Sequence, residues 1–183
     1  MPLSFDQLFG RVTRLVVIGG ITAATICSPA VAGEAWSCNA PNGQYDYKTF
    51  AISEKTTNIN GQIVFHNADF NPKWASLAHI SVAKHGADTG DCHCSGIAIY
   101  AIAESERVEF HSMANGDHVG IAQSRFETPV TFNISFSPQG VMTVAMGKTH
   151  PEISTVSLLH PEHDVMELSC SGSYVSFLNV VVS

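Results

Sequence analysis

A chain of 183 residues that is 45% hydrophobic and only 14% charged, with a formal charge of −7, is long enough to bury a real core. Its sign is wrong for a sequence-independent nucleic-acid binder or for electrostatic capture by an anionic membrane, both of which need clustered cations. No low-complexity tract, fixed-period repeat or charged linker divides it, so one domain is the economical reading.

At the start of the chain, Arg11 and Arg14 precede an apolar run from Leu15 to Cys27, and Ala30-Val31-Ala32 supplies the small residues a signal peptidase accepts. A run of 13 residues falls short of the roughly 20 that cross a bilayer as a permanent helix. Residues 1–32 therefore read as a signal peptide, with a single mature domain over 33–183 in the periplasm or outside the cell. That domain carries seven basic and fifteen acidic side chains, and four cysteines, Cys38, Cys92, Cys94 and Cys170. An even number of cysteines in an oxidising compartment points to two disulfides. Pairing Cys92 to Cys94 would close a strained ring, so each is expected to cross to Cys38 or Cys170, in one of two connectivities.

After Gly43 the segments alternate at period two or are short β-branched runs closed by turn residues. Strands are expected at 47–53, 61–67, 74–83, 96–104, 107–113, 119–123, 129–137, 141–146, 153–159, 165–170 and 174–182. The clearest has Val130, Phe132, Ile134 and Phe136 on one face and Thr131, Asn133 and Ser135 on the other. Ser137-Pro138-Gln139-Gly140 then turns the chain into Val141 to Met146. Turns are also expected at Asn58 to Gly61, Asn71-Pro72, Gly86 to Gly90, Asn115 to Asp117 and Ser171-Gly172. The C-terminal run from Leu178 to Val182 is far too short for a membrane span and reads as a last strand. This spacing predicts an all-β, antiparallel, two-sheet β-sandwich of jelly-roll type, stabilised by disulfides.

The hairpin from Val130 to Met146, with its Phe-Asn-Ile-Ser-Phe strand, Pro-Gln-Gly turn and Met-Gly end, resembles the late hairpin of concanavalin A-like lectin and glucanase sandwiches. The closing Val175 to Val182, with its Asn179-Val180 pair, is similar to the final strand of such domains. These matches span about a sixth of the mature chain. They imply a jelly-roll fold; the Glu-x-Asp-x-x-Glu motif usual in the glucanase branch does not stand in this sequence, so the resemblance does not extend to that hydrolase activity.

Trp36, Tyr45, Tyr47 and Trp74 are the candidates for a sugar-stacking platform, since an aromatic face matches the apolar face of a pyranose. Asn115 and Asp117 are loop-borne polar partners for such a ligand. With Asp69, Asn71, Asp88 and Asp91 they supply loop oxygens of the kind a Ca²⁺ ion takes, though turn formation explains most of them. Glu104 and Glu106 are the candidate catalytic pair: on a continuing strand they would share a face, as two glycosidase carboxylates must. Glu109 lies nearby, and acidic residues at a strand turn more often protect an edge. Asp91-Cys92-His93-Cys94 and His160-Pro161-Glu162-His163-Asp164 are the densest groupings of metal-type ligands, with His93, His160, His163 and Asp164 as candidate ligands and His150 as a further one. Disulfides and a solvated loop are the simpler readings of those two segments. Asn133-Ile134-Ser135 is a formal glycosylation sequon inside an expected strand. Serine-nucleophile elbows, phosphate-binding glycine loops and dinucleotide fingerprints are absent from the sequence.

The reading that gathers these features is an exported binding module for a carbohydrate or another surface ligand, without catalysis and without a cofactor, a divalent cation being the open alternative. A glycan hydrolase working through the carboxylate pair, a structural envelope protein and a metal-handling protein are its rivals. No nucleic-acid partner and no membrane span are expected.

Overall fold

The computed structural model describes residues 33–53, 55–71, 73–83, 95–103, 105–114, 117–147, 152–157 and 164–183, the segment 152–157 by its backbone alone. Ten strands run through these residues: β1 (Glu34–Ala51), β2 (Asn58–Ala68), β3 (Leu77–Ala83), β4 (Ser95–Ile102), β5 (Arg107–Ala114), β6 (Asp117–Arg125), β7 (Val130–Phe136), β8 (Val141–Met146), β9 (Glu152–Ser157) and β10 (Val165–Val182). Every pairing is antiparallel. No helix among the described residues is long and apolar enough to cross a membrane.

The strands form one hydrogen-bonded sheet in the order β6-β5-β4-β3-β10-β2-β7-β8-β9, with β1 paired to β10. Its organiser is β10. The first half of this strand pairs with β3 and the second half with β2, while β1 follows it over both halves. Two arms, β3 to β6 and β2 to β9, therefore grow from one shared strand pair. The sheet curls until the backbones of β9 and β6 meet, giving a nearly closed, barrel-like form.

Alternation sets what the sheet encloses. Phe132 and Ile134 of β7, Met142, Val144 and Met146 of β8, and Ile97 and Ile99 of β4 are buried in one continuous core with Ile59, Phe65, Phe110 and Phe177. Val130 and Phe136 pack at its margin, so the inward face expected for this hairpin is the observed one. At about 25 cal/mol per Å² of apolar surface, burial of these side chains is the dominant stabilising contribution.

Four expectations are corrected. Asn58 to Gly61 is not a turn: these residues begin β2, each paired with β7. Ser171-Gly172 is not a turn: β10 runs straight through it, with Gly172 in the left-handed region at φ 57°. The glycine makes an irregularity, and neighbours on both sides hold the ladder together. The first strand begins at Glu34 rather than near Tyr47, because its pairing with β10 resumes on both sides of a register shift between Ala40 and Tyr45. Trp74 does not lead a strand; it forms an isolated bridge with Asn71, and β3 starts at Leu77.

The disulfide framework is corrected too. Cys38 is bonded to Cys170, with Cα atoms 6.0 Å apart, so neither crosses to Cys92 or Cys94. The physical reason is the central position of β10, which places Cys170 beside the strand that carries Cys38. Cys92 and Cys94 lie outside the described residues.

Candidate functional site

The outward face of the β3 to β6 arm carries most of the chemistry that the core does not use. Strand register places Tyr47, Ser169, His79, Ala98, His111 and Gly120 in one row across β1, β10, β3, β4, β5 and β6. Beside it runs the row Tyr45, Ser171, Leu77, Tyr100, Glu109 and Gln123. On the other side stand Thr49, Glu167, Ser81, Gly96, Met113 and His118. Residues two apart on a strand share a face, so these three rows form one surface.

Small residues occupy its middle. Ala98 is fully covered, with Tyr100 and Met113 packed around it in an apolar cluster separate from the main core. Gly96 sits at φ 151°, where an added Cβ would run into the carbonyl oxygen of Ile80, so this position admits no side chain. Larger side chains stand to either side.

On the β1 flank, Tyr45 and Tyr47 lie with ring centroids 5.8 Å apart at 30°. They are 51% and 57% exposed, and Trp74 is 46% exposed, far more than aromatic side chains of a core. Tyr45 and Trp74 are anchored at their polar ends. The Tyr45 hydroxyl donates to the Glu167 carboxylate. The Trp74 indole N–H donates to the Ser171 hydroxyl, which donates in turn to the Gln44 carbonyl at 2.8 Å. A ring held at one end while its face stays wet is the arrangement that a stacking platform requires.

On the far flank, Tyr100 and His111 meet edge to face at 5.2 Å, and the Tyr100 hydroxyl is 3.3 Å from His118 Nδ1. Glu109 accepts from Gln123 Nε2 at 2.9 Å, and Arg107 donates to Gln123 Oε1 at 2.6 Å. His79 lies between the flanks. Burial, and then the neighbouring His118 charge, push its imidazole down to about 4, so it is neutral at physiological pH and offers one donor and one acceptor. Burial and the bond to Glu167 push the Tyr45 phenol up to about 12, which keeps it protonated as a donor. Burial also raises Tyr100.

Of the four aromatic candidates, Tyr45 and Tyr47 stand side by side and Trp74 is tied to Ser171, the residue paired with Tyr45. Trp36 is elsewhere, stacked on Phe177 at 5.6 Å against the main core. Asp117 is exposed at the start of β6, paired with Ala114, and Asn115 lies outside the described residues. Asp69 accepts from the Asn42 N–H at 3.4 Å and Asn71 Oδ1 from the Lys73 N–H at 2.9 Å, which is loop chemistry.

For the carboxylate pair, β4 ends at Ile102 and β5 begins at Arg107, so Glu106 stands in the turn at φ 48° rather than on a continuing strand; Glu104 lies outside the described residues. The same holds for Asp88, Asp91, His93, His150, His160 and His163. Asp164 is described and exposed, its N–H donating to the Ala83 carbonyl at 3.1 Å. Among the described residues no three His, Cys, Asp or Glu side chains are grouped to hold a metal ion.

His79, Glu167, Tyr100, His111 and His118 were not singled out from sequence as part of a site with the aromatics. A signal was there: in Leu77-Ala-His-Ile-Ser-Val-Ala83 the polar residues fall on alternate positions, which places His79 and Ser81 on the outward face of a strand whose other face is core.

No protein-family model matches this chain, and no curated protein matches it by sequence. Among solved structures it is similar to a family 18 polysaccharide lyase, at 10% identity and a TM-score of 0.52, over 85% of this chain and 89% of that one. It is also similar to an alginate lyase from Pseudomonas aeruginosa, at 11% identity and a TM-score of 0.50, over 71% of this chain. The match spans 65% of the alginate lyase's length. At such identities the likeness is one of fold.

Proposed function

We propose that this protein is an exported carbohydrate-binding module, whose ligand is a neutral glycan taken up on the face bearing Tyr45, Tyr47 and Trp74. The observation that carries this reading is the exposed Tyr45–Tyr47 pair laid over Ser171 and Ser169, with exposed Trp74 hydrogen-bonded to Ser171, beside Glu167 and His79. Pyranose C–H faces stack on the rings, while Glu167 accepts from sugar hydroxyls and neutral His79 exchanges hydrogen bonds with them. Glu167 and Glu109 on the same face, in a chain of net charge −7, disfavour polyanionic chains.

In the same reading, residues 1–32 are a signal peptide and the mature domain functions in the periplasm or outside the cell, where the Cys38–Cys170 disulfide persists. The two arms of the sheet act as the two sheets of a jelly-roll sandwich sharing β10.

Calorimetric titration with neutral and acidic oligosaccharides tests the proposal. The expected result is saturable binding of a neutral sugar, weakened at least about tenfold in Tyr47→Ala, where one stacking face is lost. Absence of binding across both panels, or binding unchanged in Tyr47→Ala and Trp74→Ala, would overturn it.

A further inference from the structure

On the other arm of the sheet, His66 Nδ1 lies 2.9 Å from Glu127 Oε2, and His66 Nε2 lies 2.9 Å from Ser176 Oγ. In the tautomer whose Nδ1–H donates to the Glu127 carboxylate, Nε2 is left to accept from the Ser176 hydroxyl. Ser37 Oγ, 3.0 Å from Ser176 Oγ, then donates to it. We propose that Ser176 is a nucleophile activated by His66, with Glu127 as the positioning residue, and that it reacts with small acyl esters.

Several independent features of the backbone converge on this relay. Between Val175 and Tyr174 the ladder of β2 advances from Phe65 to Asn67, so His66 is the extra residue of a β-bulge, the device by which a strand re-aims one side chain. Glu127 is in the left-handed region at φ 60°, uncommon for a residue with a side chain. Its N–H donates to the Phe65 carbonyl at 2.9 Å, fixing it next to the bulge. Tyr174 stacks on the His66 ring at 4.4 Å and holds its plane. Strain of this kind persists where surrounding structure enforces it, and it gathers at functional sites.

The chemistry balances with water as co-reactant. Ser176 Oγ attacks the ester carbonyl carbon while its proton passes to His66 Nε2. The tetrahedral adduct expels the alcohol, which takes that proton, and leaves an acyl-Ser176. Water, deprotonated by His66, attacks the acyl carbon, and Ser176 recovers its proton as the carboxylic acid departs. The Ser37 hydroxyl is the donor beside the developing oxyanion. Because Ser176 lies mid-strand between β1 and β2, in a ladder that engages its backbone, the reactive class is esters with good leaving groups. Ser176 is 7% exposed and the His66 side chain 22%, which limits the acyl group to a small one.

The test treats the full-length protein with a fluorophosphonate probe and with p-nitrophenyl acetate, using intact-mass and peptide-mass readouts. A single adduct on the Ser176 peptide is expected. Ser176→Ala should abolish it, His66→Gln should slow it by about a hundredfold or more, and Glu127→Gln by about tenfold with a shifted pH profile. Melting curves check that the variants fold, and exposed Glu127 keeps the test decisive should His66→Gln unfold. No adduct on the folded parent, an adduct elsewhere, or equal rates in parent and Glu127→Gln would overturn the proposal.

Discussion

Trp74 hangs its indole N–H on the hydroxyl of Ser171, a residue in the middle of the strand that both arms of the sheet share. Among the described residues the most exposed large ring outside β1 is thereby tied to the strand that pairs with β1, β2 and β3. Ser171→Ala removes the acceptor and also the donor to Gln44. A loss of about 1–3 kcal/mol in denaturant unfolding and a red shift of tryptophan emission are expected. Unchanged emission would mean that the hydrogen bond does not hold the ring.

Disulfide mapping under non-reducing conditions should recover the Cys38 peptide joined to the Cys170 peptide. The bridge closes a loop with a sequence separation of 132, so replacing both cysteines by serine should cost roughly 2–5 kcal/mol. Recovery of Cys38 linked to Cys92 or Cys94 would refute this pairing.

Acid should weaken the fold through His79. Unfolded, the imidazole takes a proton near 6.5; folded, it does so only near 4. The unfolded state therefore binds more protons between those values, so stability is full above about 6.5, declines as the pH falls, and levels off below about 4. The loss is on the order of 3 kcal/mol. Urea melts of the parent and of His79→Gln across this range check it, and the variant should show a flatter profile.

Phe132→Ala deletes a buried ring and should cost about 3–5 kcal/mol, whereas Asn133→Ala, one residue on and facing outward, should stay within about half a kcal/mol. Equal losses in chemical denaturation would refute the assignment of faces along β7.

What could be read from the sequence was whatever depended on local alternation. Val130 to Met146 declared both strands and their buried face because large apolar side chains occupy every second position. Glu34 to Ala40 did not, since the residues it buries most deeply are Cys38 and Ala40, which carry little periodic signal. Ser171-Gly172 misled because turn-forming residues also make bulges, and only flanking strands decide which. The disulfide was equally non-local, set by which strand lies beside β10. Tyr45, Tyr47 and Trp74 stood out as aromatics, but their gathering with Glu167 and His79 depends on register between β1, β10 and β3, fixed by residues more than 80 positions apart. The Glu127–His66–Ser176 relay was still less legible, its members lying 61 and 110 positions apart and joined through a bulge.

Placing the common strand of both arms last among the ten has a consequence for how the protein is made. While Val165 to Val182 is still within the ribosome, neither β1, β2 nor β3 has its principal partner, and hairpins such as β7–β8 are marginal alone. The sheet is thus expected to be completed only once nearly the whole of β10 has emerged. Folding then proceeds on the millisecond-to-second scale of topologies built from distant pairings. A chain shortened to Asp164 should not yield a smaller stable domain, because the piece removed is the strand that pairs with β1, β2 and β3 and joins the two arms of the sheet.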